Sequence, residues 1–131
     1  MRSATHTITI DAPRDDVFAF LADGASLPGW APNFAPAIRP DGDGWIVDQG
    51  TAELRVELPA NQELGTIDLV ITLPNGARRT IYLRVLPNGD GAEFLFTLFH
   101  SDSRSDDDVA RQNAEIAEEL RRAKALCESR S

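Results

Sequence analysis

The sequence has 131 residues, 42% of them hydrophobic, and a formal net charge of −8, because 21 acidic residues outnumber 13 basic ones. This length predicts a single domain over residues 1–131, with a hydrophobic core that needs no disulfide or metal. The acidic balance argues against nucleic acid as a partner, since nucleic acid requires a basic face. The same balance argues against an anionic membrane as a partner, and no apolar run approaches the roughly 20 residues of a membrane-spanning helix.

The chain begins with a predicted strand followed by a helix. Residues 5–10 alternate over β-branched side chains and place His6 on the same face as two isoleucines. Pro13 suits the first turn of a helix, and the two aspartates that follow face the positive end of its dipole. This helix is predicted to end at Gly24.

Residues 25–34 are predicted to be mostly loop, because prolines and glycines leave room for only a short helix. The loop carries two aromatic rings, Trp30 and Phe34. These rings either cap the core or form the lip of a binding cavity, and the two roles are compatible.

Six strands are predicted in the middle of the chain, where alternating or apolar runs are separated by turn residues: 35–40, 45–49, 51–58, 66–73, 80–85 and 92–99. Alternation places Asp68, Tyr82 and Arg84 on polar strand faces. A register with Asp68 opposite Arg84 predicts a cross-strand ion pair. If this face is concave, the three side chains are polar anchors in a cavity; if it is convex, they form a solvated cluster.

A long amphipathic helix is predicted over residues 106–128. Its apolar stripe has the spacing of one buried helical face and consists of Val109, Ile116, Leu120, Ala123 and Cys127. The helix is expected to pack across the apolar face of the sheet. We identify no catalytic group on this stripe.

Three sequence segments accompany this order of elements: Thr-Ile-Thr-Ile-Asp-Ala-Pro at 7–13, Val-Phe-Ala-Phe-Leu at 17–21 and Leu-Pro-Gly-Trp at 27–30. With them, the whole chain resembles the START-like (SRPBCC) superfamily, which includes small bacterial proteins of the polyketide cyclase/dehydrase type. The resemblance implies an α+β helix-grip fold of order β-α-α-β-β-β-β-β-β-α. In that fold, a curved antiparallel sheet of about seven strands wraps around the long C-terminal helix.

The resemblance also implies a function, the binding of a small hydrophobic ligand (lipid-, polyketide- or aromatic-like) between the sheet and the last helix. The predicted ligand-binding residues come from the loop, the sheet and the helix: Trp30, Phe34, Tyr82, Arg84, Phe96, His100, Ile116 and Leu120. Two alternatives remain open. One is an enzyme of the polyketide cyclase/dehydrase type, and the other is an interaction module whose interior is filled by Phe18, Phe94 and Phe96.

The two histidines are the candidates for acid–base catalysis. In the resembled fold the first strand runs antiparallel beside the last, which is expected to bring His6 and His100 close together on the cavity side. Imidazole titrates near neutral pH and can therefore act as a general acid or base. The alternative is that both residues lie at strand ends, exposed or hydrogen-bonded to the backbone, with a purely structural role.

The sequence contains no glycine-rich phosphate loop, nucleophile elbow or metal-spaced cluster. No cofactor and no metal are therefore expected. The single cysteine, Cys127, is typical of a reducing compartment, and Arg2 is not followed by the apolar segment of a secretion signal. These features predict a cytoplasmic protein, either a monomer or a homodimer.

Overall fold

The computed structural model describes residues 1–130. Within this range the strands are β1 (Arg2–Ile10), β2 (Ala37–Asp41), β3 (Gly44–Asp48), β4 (Glu53–Glu57), β5 (Ala60–Asn61), β6 (Thr66–Thr72), β7 (Arg78–Asn88) and β8 (Gly91–His100). The helices are α1 (Arg14–Ala22), α2 (Leu27–Trp30) and α3 (Asp106–Ser129), with a 3-10 turn at Gly24–Ser26. No helix of this part of the chain is both long and apolar enough to cross a membrane.

One antiparallel sheet contains all the strands. Its order is β1-β8-β7-β6-β4-β3-β2, and the two-residue strand β5 pairs with β6 outside this path. The predicted helix-grip fold is confirmed: a curved, open antiparallel sheet holds the C-terminal helix against one face. The short strand β5 accounts for the difference between the predicted seven strands and the observed eight.

The faces of the sheet follow the alternation of the sequence. In β6, Ile67, Leu69 and Ile71 are buried, and the intervening residues are only partly covered. The same alternation runs through β8, where every second residue from Ala92 to His100 is buried. The buried side chains share the concave face of the sheet, which faces α3.

The predicted register between β6 and β7 is wrong by two residues. Asp68 pairs with Tyr82, and Arg84 pairs with Thr66, so the predicted ion pair between Asp68 and Arg84 does not form. A slip of two residues leaves every side chain on the same face, so the hydrophobic pattern cannot detect it. The turn between Thr72 and Arg78 determines the register instead.

Helix α3 begins with a side-chain cap. The hydroxyl of Ser105 accepts a hydrogen bond from the backbone N–H of Asp108 at 3.1 Å, and three aspartates occupy the first turn. This arrangement satisfies an otherwise unpaired N–H and complements the helix dipole. Near the other end, Lys124 donates a hydrogen bond to the carbonyl oxygen of Thr9 at 2.9 Å, which joins the helix to β1.

Candidate ligand cavity

A cavity of about 290 Å³ lies between the concave face of the sheet and the first half of α3. Its lining is largely apolar and comes from α2, four strands and α3, with Trp30, Phe34, Leu69, Ile71, Phe96 and Ile116 among the lining residues. The volume is close to the lower end of the range for small-molecule sites. The interior is therefore not filled, and the interaction-module alternative loses its structural basis.

The aromatic loop forms one end of this cavity. The Trp30 ring is buried and meets the rings of Phe94 and Phe96 edge-on, at centroid distances of 5.8 and 6.5 Å. Its indole N–H has no hydrogen-bond partner among the described residues. Phe34 is half-buried, and its carbonyl oxygen accepts a hydrogen bond from Gln49 at 2.9 Å, which fixes the loop against the cavity wall. Trp30 thus both caps the core and lines the cavity.

Glu119 is a buried acid on the cavity wall. It is 8% exposed, and its carboxyl group makes no hydrogen bond to the described residues. Burial raises the pKa of Glu119 to about 7; the nearby charge of Glu115 adds to this increase, and Arg122 opposes it. A carboxyl group with this pKa can take up or release a proton near neutral pH.

Arg79 stands at the open end of the cavity. It lies on the concave side of β7, in step with Ile81 and the buried Leu83, and its side chain reaches solvent. No carboxylate of the described residues lies within 4 Å of its guanidinium group, since Arg79 takes part in none of the ion pairs. Arg79 is thus an unpaired cation beside an apolar space.

Arg79 also lines a second, wider groove of about 810 Å³. The groove and the cavity have four residues in common: Arg79, Ile81, Gln112 and Glu115. The two spaces are therefore contiguous. The groove has mixed polar and apolar walls and runs past the end of β8 to the first turns of α3.

Neither histidine lines the cavity, and of the two His100 lines the groove. Strand pairing places His6 opposite Phe96 and His100 opposite Arg2, so the histidines are four positions apart along the paired strands. The two residues are therefore not cross-strand neighbours, and the predicted proximity holds only through a third residue that both rings contact. What they have in common is Asn113 of α3, whose side chain interacts with both rings; its Oδ1 accepts from Nε2 of His6 at 3.2 Å.

His100 is buried at the inner end of the groove. Its Nδ1 lies 3.3 Å from Nη1 of Arg104, which donates to it because a guanidinium group cannot accept. Burial lowers the pKa of His100, and the positive charges of Arg104 and Arg2 lower it further. The imidazole is therefore neutral near pH 7.

Four of the predicted ligand-binding residues are not on the cavity wall: His100 and Tyr82 line the groove, and Arg84 and Leu120 line neither space. Tyr82 and Arg84 are exposed on the outer face of the sheet, where Tyr82 packs edge-on against Phe99 at 6.2 Å. Leu120 is buried in the contact between α3 and the sheet, beyond the end of the cavity. The alternation that places Ile81 and Leu83 inward necessarily turns Tyr82 and Arg84 outward.

Sequence reasoning missed Glu119 and Arg79. An acidic residue next to an apolar stripe usually lies on the solvent side, and two arginines beside a turn usually remain solvated. The signal for Glu119 was its spacing, three residues after Ile116 and four before Ala123, which places it on the buried face. For Arg79 the signal was its position two residues before Ile81 on the same strand face.

Comparisons with known proteins place this geometry in context. The family described as "Polyketide cyclase / dehydrase and lipid transport" matches residues 1–128. No curated protein sequence gives a significant match. The solved Aha1 dimer from Colwellia psychrerythraea has a TM-score of 0.75 at 17% identity, covering 98% of this chain and 97% of that chain.

Two other solved structures give a similar result. XoxI from Bacillus cereus has a TM-score of 0.74 at 14% identity, with 97% of this chain and 96% of that chain covered. Ara h 8.0201 has a TM-score of 0.62 at 13% identity, with 98% of both chains covered. At these identities the likeness shows a shared fold.

Proposed function

We propose that this chain, which belongs to the polyketide cyclase/dehydrase and lipid transport family, binds a small hydrophobic molecule between its sheet and α3. The bound molecule is lipid-like, polyketide-like or aromatic, and residues 1–131 act as one domain. The observation that carries the proposal is the open, largely apolar cavity of about 290 Å³ bounded by Trp30, Phe96 and Ile116. Transfer of the apolar surface of the ligand from water into this cavity provides the favourable free energy of binding.

A cavity-filling substitution tests this proposal. Ile81 is half-buried at the junction of cavity and groove, so Ile81→Trp is expected to occupy the space that a ligand needs. The matched control is Ile46→Trp, since Ile46 is half-buried on the opposite face of the sheet. Binding is followed through the fluorescence of N-phenyl-1-naphthylamine, a neutral apolar probe.

The wild-type protein and the Ile46→Trp variant are expected to bind the probe alike, and Ile81→Trp at least about tenfold more weakly. Equal binding by all three proteins would locate the probe outside the cavity and contradict the proposal. Native mass spectrometry of the freshly purified protein provides an independent measurement, because a resident ligand adds its mass to the protein. Thermal unfolding of each variant verifies that the introduced ring has not disrupted the fold.

A second candidate function is acid–base catalysis on the bound molecule, and Glu119 favours it. Its carboxyl group lines the cavity, is unpaired among the described residues, and has a pKa of about 7. A carboxyl group in this state can protonate an oxygen or remove a proton next to a carbonyl group. Neither histidine lines the cavity, and of the two His100 lines the adjoining groove.

A further inference from the structure

We infer that the natural ligand is amphipathic and carries one carboxylate, which lies in the groove beside Arg79 while the apolar body fills the cavity. This inference rests on the proposed function and adds the chemical class of the ligand. It depends on the continuity of the two spaces, the unpaired donors at their junction and the charge of the groove.

The continuity of the two spaces allows one molecule to occupy both. Cavity and groove share Arg79 and Ile81 on the sheet and Gln112 and Glu115 on α3. On one side of this junction the walls are apolar, and on the other they carry most of the charged groups. A molecule lying across the junction therefore needs an apolar part and a polar part.

The groove is locally positive in a protein whose net charge is −8. Four arginines line it, Arg78, Arg79, Arg104 and Arg111, against the two acids Asp108 and Glu115. Positive charge concentrated in a concave site attracts an anion. The positive potential is also felt by His100, whose pKa is lowered in part by the neighbouring arginines.

Two of these arginines already have acidic partners. Arg111 is 2.7 Å from Asp108, and Arg78 approaches Glu57 at 3.9 Å. The other two, Arg79 and Arg104, have no carboxylate of the described residues within 4 Å. Their guanidinium groups therefore retain N–H donors that a ligand can use.

Gln112 adds a neutral donor at the junction. Its Oε1 accepts a hydrogen bond from Arg104, so its amide NH₂ is turned the other way and has no partner among the described residues. Guanidinium and amide donors together match the acceptor oxygens of a carboxylate. Because Glu115 stands at the same junction, the site suits one negative charge better than the two of a phosphate.

A pair of probes of equal length isolates the head group. Decanoate and 1-decanol have the same apolar chain, and decyl phosphate carries more charge. Isothermal titration at pH 6 keeps decanoate ionised while the Glu119 carboxyl group, with its pKa of about 7, remains mostly neutral. The wild-type protein is expected to bind decanoate roughly five- to tenfold more tightly than decanol.

Two arginines of β7 provide a matched pair of variants. Arg79→Gln is expected to abolish the preference for decanoate without weakening the binding of decanol. Arg84→Gln is the control, because Arg84 is exposed on the outer face of the same strand. Glu115→Gln is expected to act in the opposite direction and tighten decanoate binding about two- to threefold.

The possible outcomes separate this inference from the proposed function. Equal affinity of the wild-type protein for decanoate and decanol overturns the inference and leaves the hydrophobic cavity as the site. An effect of Arg84→Gln as large as that of Arg79→Gln also overturns the inference. Non-specific attraction of the anion to positive charge on the protein would then explain the preference for decanoate. Tighter binding of decyl phosphate excludes the carboxylate assignment. If none of the three probes binds, the proposed function fails as well.

Discussion

The two halves of α3 differ in how they meet the sheet. None of residues 106–115 is buried, whereas Ile116, Glu119, Leu120, Ala123 and Cys127 are buried in the second half. The first half is held mainly by polar contacts, such as that of Asn113 with His6, and the cavity and groove lie beneath it. The comparison shows that a single helix can close the core at one end and leave a binding space at the other.

The largest expected effect is on the stability of the packed half. Leu120→Ala removes a fully buried side chain from the contact with the sheet and is expected to cost about 3 kcal/mol of unfolding free energy, within the usual range of roughly 2–5. Val109→Ala, in the first half, is the control and is expected to cost less than about 1 kcal/mol. Urea unfolding measures both. Similar losses would show that the two halves are equally packed.

An effect of comparable or smaller size is expected from Glu119, the buried acid of the second half. Its carboxyl group has a pKa of about 7 in the folded protein and an ordinary value of 4.5 in the unfolded chain. The contribution of Glu119 to folding stability is therefore fully present below pH 4.5 and is lost as the pH rises from 4.5 to about 7. At pH 8, Glu119→Gln is expected to be more stable than the wild-type protein by up to roughly 3 kcal/mol.

The measurement is the unfolding free energy as a function of pH. Glu119→Gln should lose the decline between pH 4.5 and 7, whereas Glu118→Gln, one residue earlier and exposed, should retain it. A decline of equal size in Glu119→Gln would mean that another group causes it. The Glu119→Gln variant also tests acid–base catalysis, the second candidate function, once a reaction has been found.

The smallest effect is expected from His100 at the inner end of the groove. Its pKa lies below the ordinary 6.5 in the folded protein, because the buried ring is held neutral. The contribution of the neutral His100 ring to folding stability is therefore fully present above pH 6.5 and is lost as the pH falls through the pKa of the folded state. NMR titration of the His100 ring should show this lowered pKa directly. The stability change is best measured in the Glu119→Gln background, because the two groups act in opposite directions over overlapping pH ranges.

Much of the fold could be predicted from the sequence because strands and helices follow the spacing of apolar residues and the positions of turn residues. The alternation of β6 through Ile67, Leu69 and Ile71 identifies a strand with one buried face. The spacing of Ile116, Leu120 and Ala123 identifies the buried face of α3. These patterns, with the turns between them, predict the order of the elements, and the resemblance carried by residues 7–13, 17–21 and 27–30 then implied the helix-grip fold.

The rest depends on features that leave no periodic trace. The register of β6 and β7 is one of them, since moving Asp68 from Arg84 to Tyr82 changes no face. The cavity is another, because the residues that line it have the same apolar side chains and spacing as residues that pack against each other in the core. The spacing of Glu119 and Arg79 indicates which face each side chain is on, but the burial of Glu119 and the lack of an acidic partner for Arg79 among the described residues are known only from the structure.

The hydrogen bonds at the end of α3 have a mechanical consequence. Lys124 bonds to the carbonyl oxygen of Thr9 and Glu128 accepts from the backbone N–H of Asp11 at 2.8 Å, so this end is fixed to the end of β1. A helix of 24 residues is about 36 Å long. A tilt of about 5° around the fixed end would thus move the other end by about 3 Å. The other end also contacts β1, through the exposed ion pair of Arg2 with Asp106 at 2.7 Å and the hydrogen bond of His6 with Asn113. These polar contacts would have to adjust in such a tilt, which would change the width of the binding space.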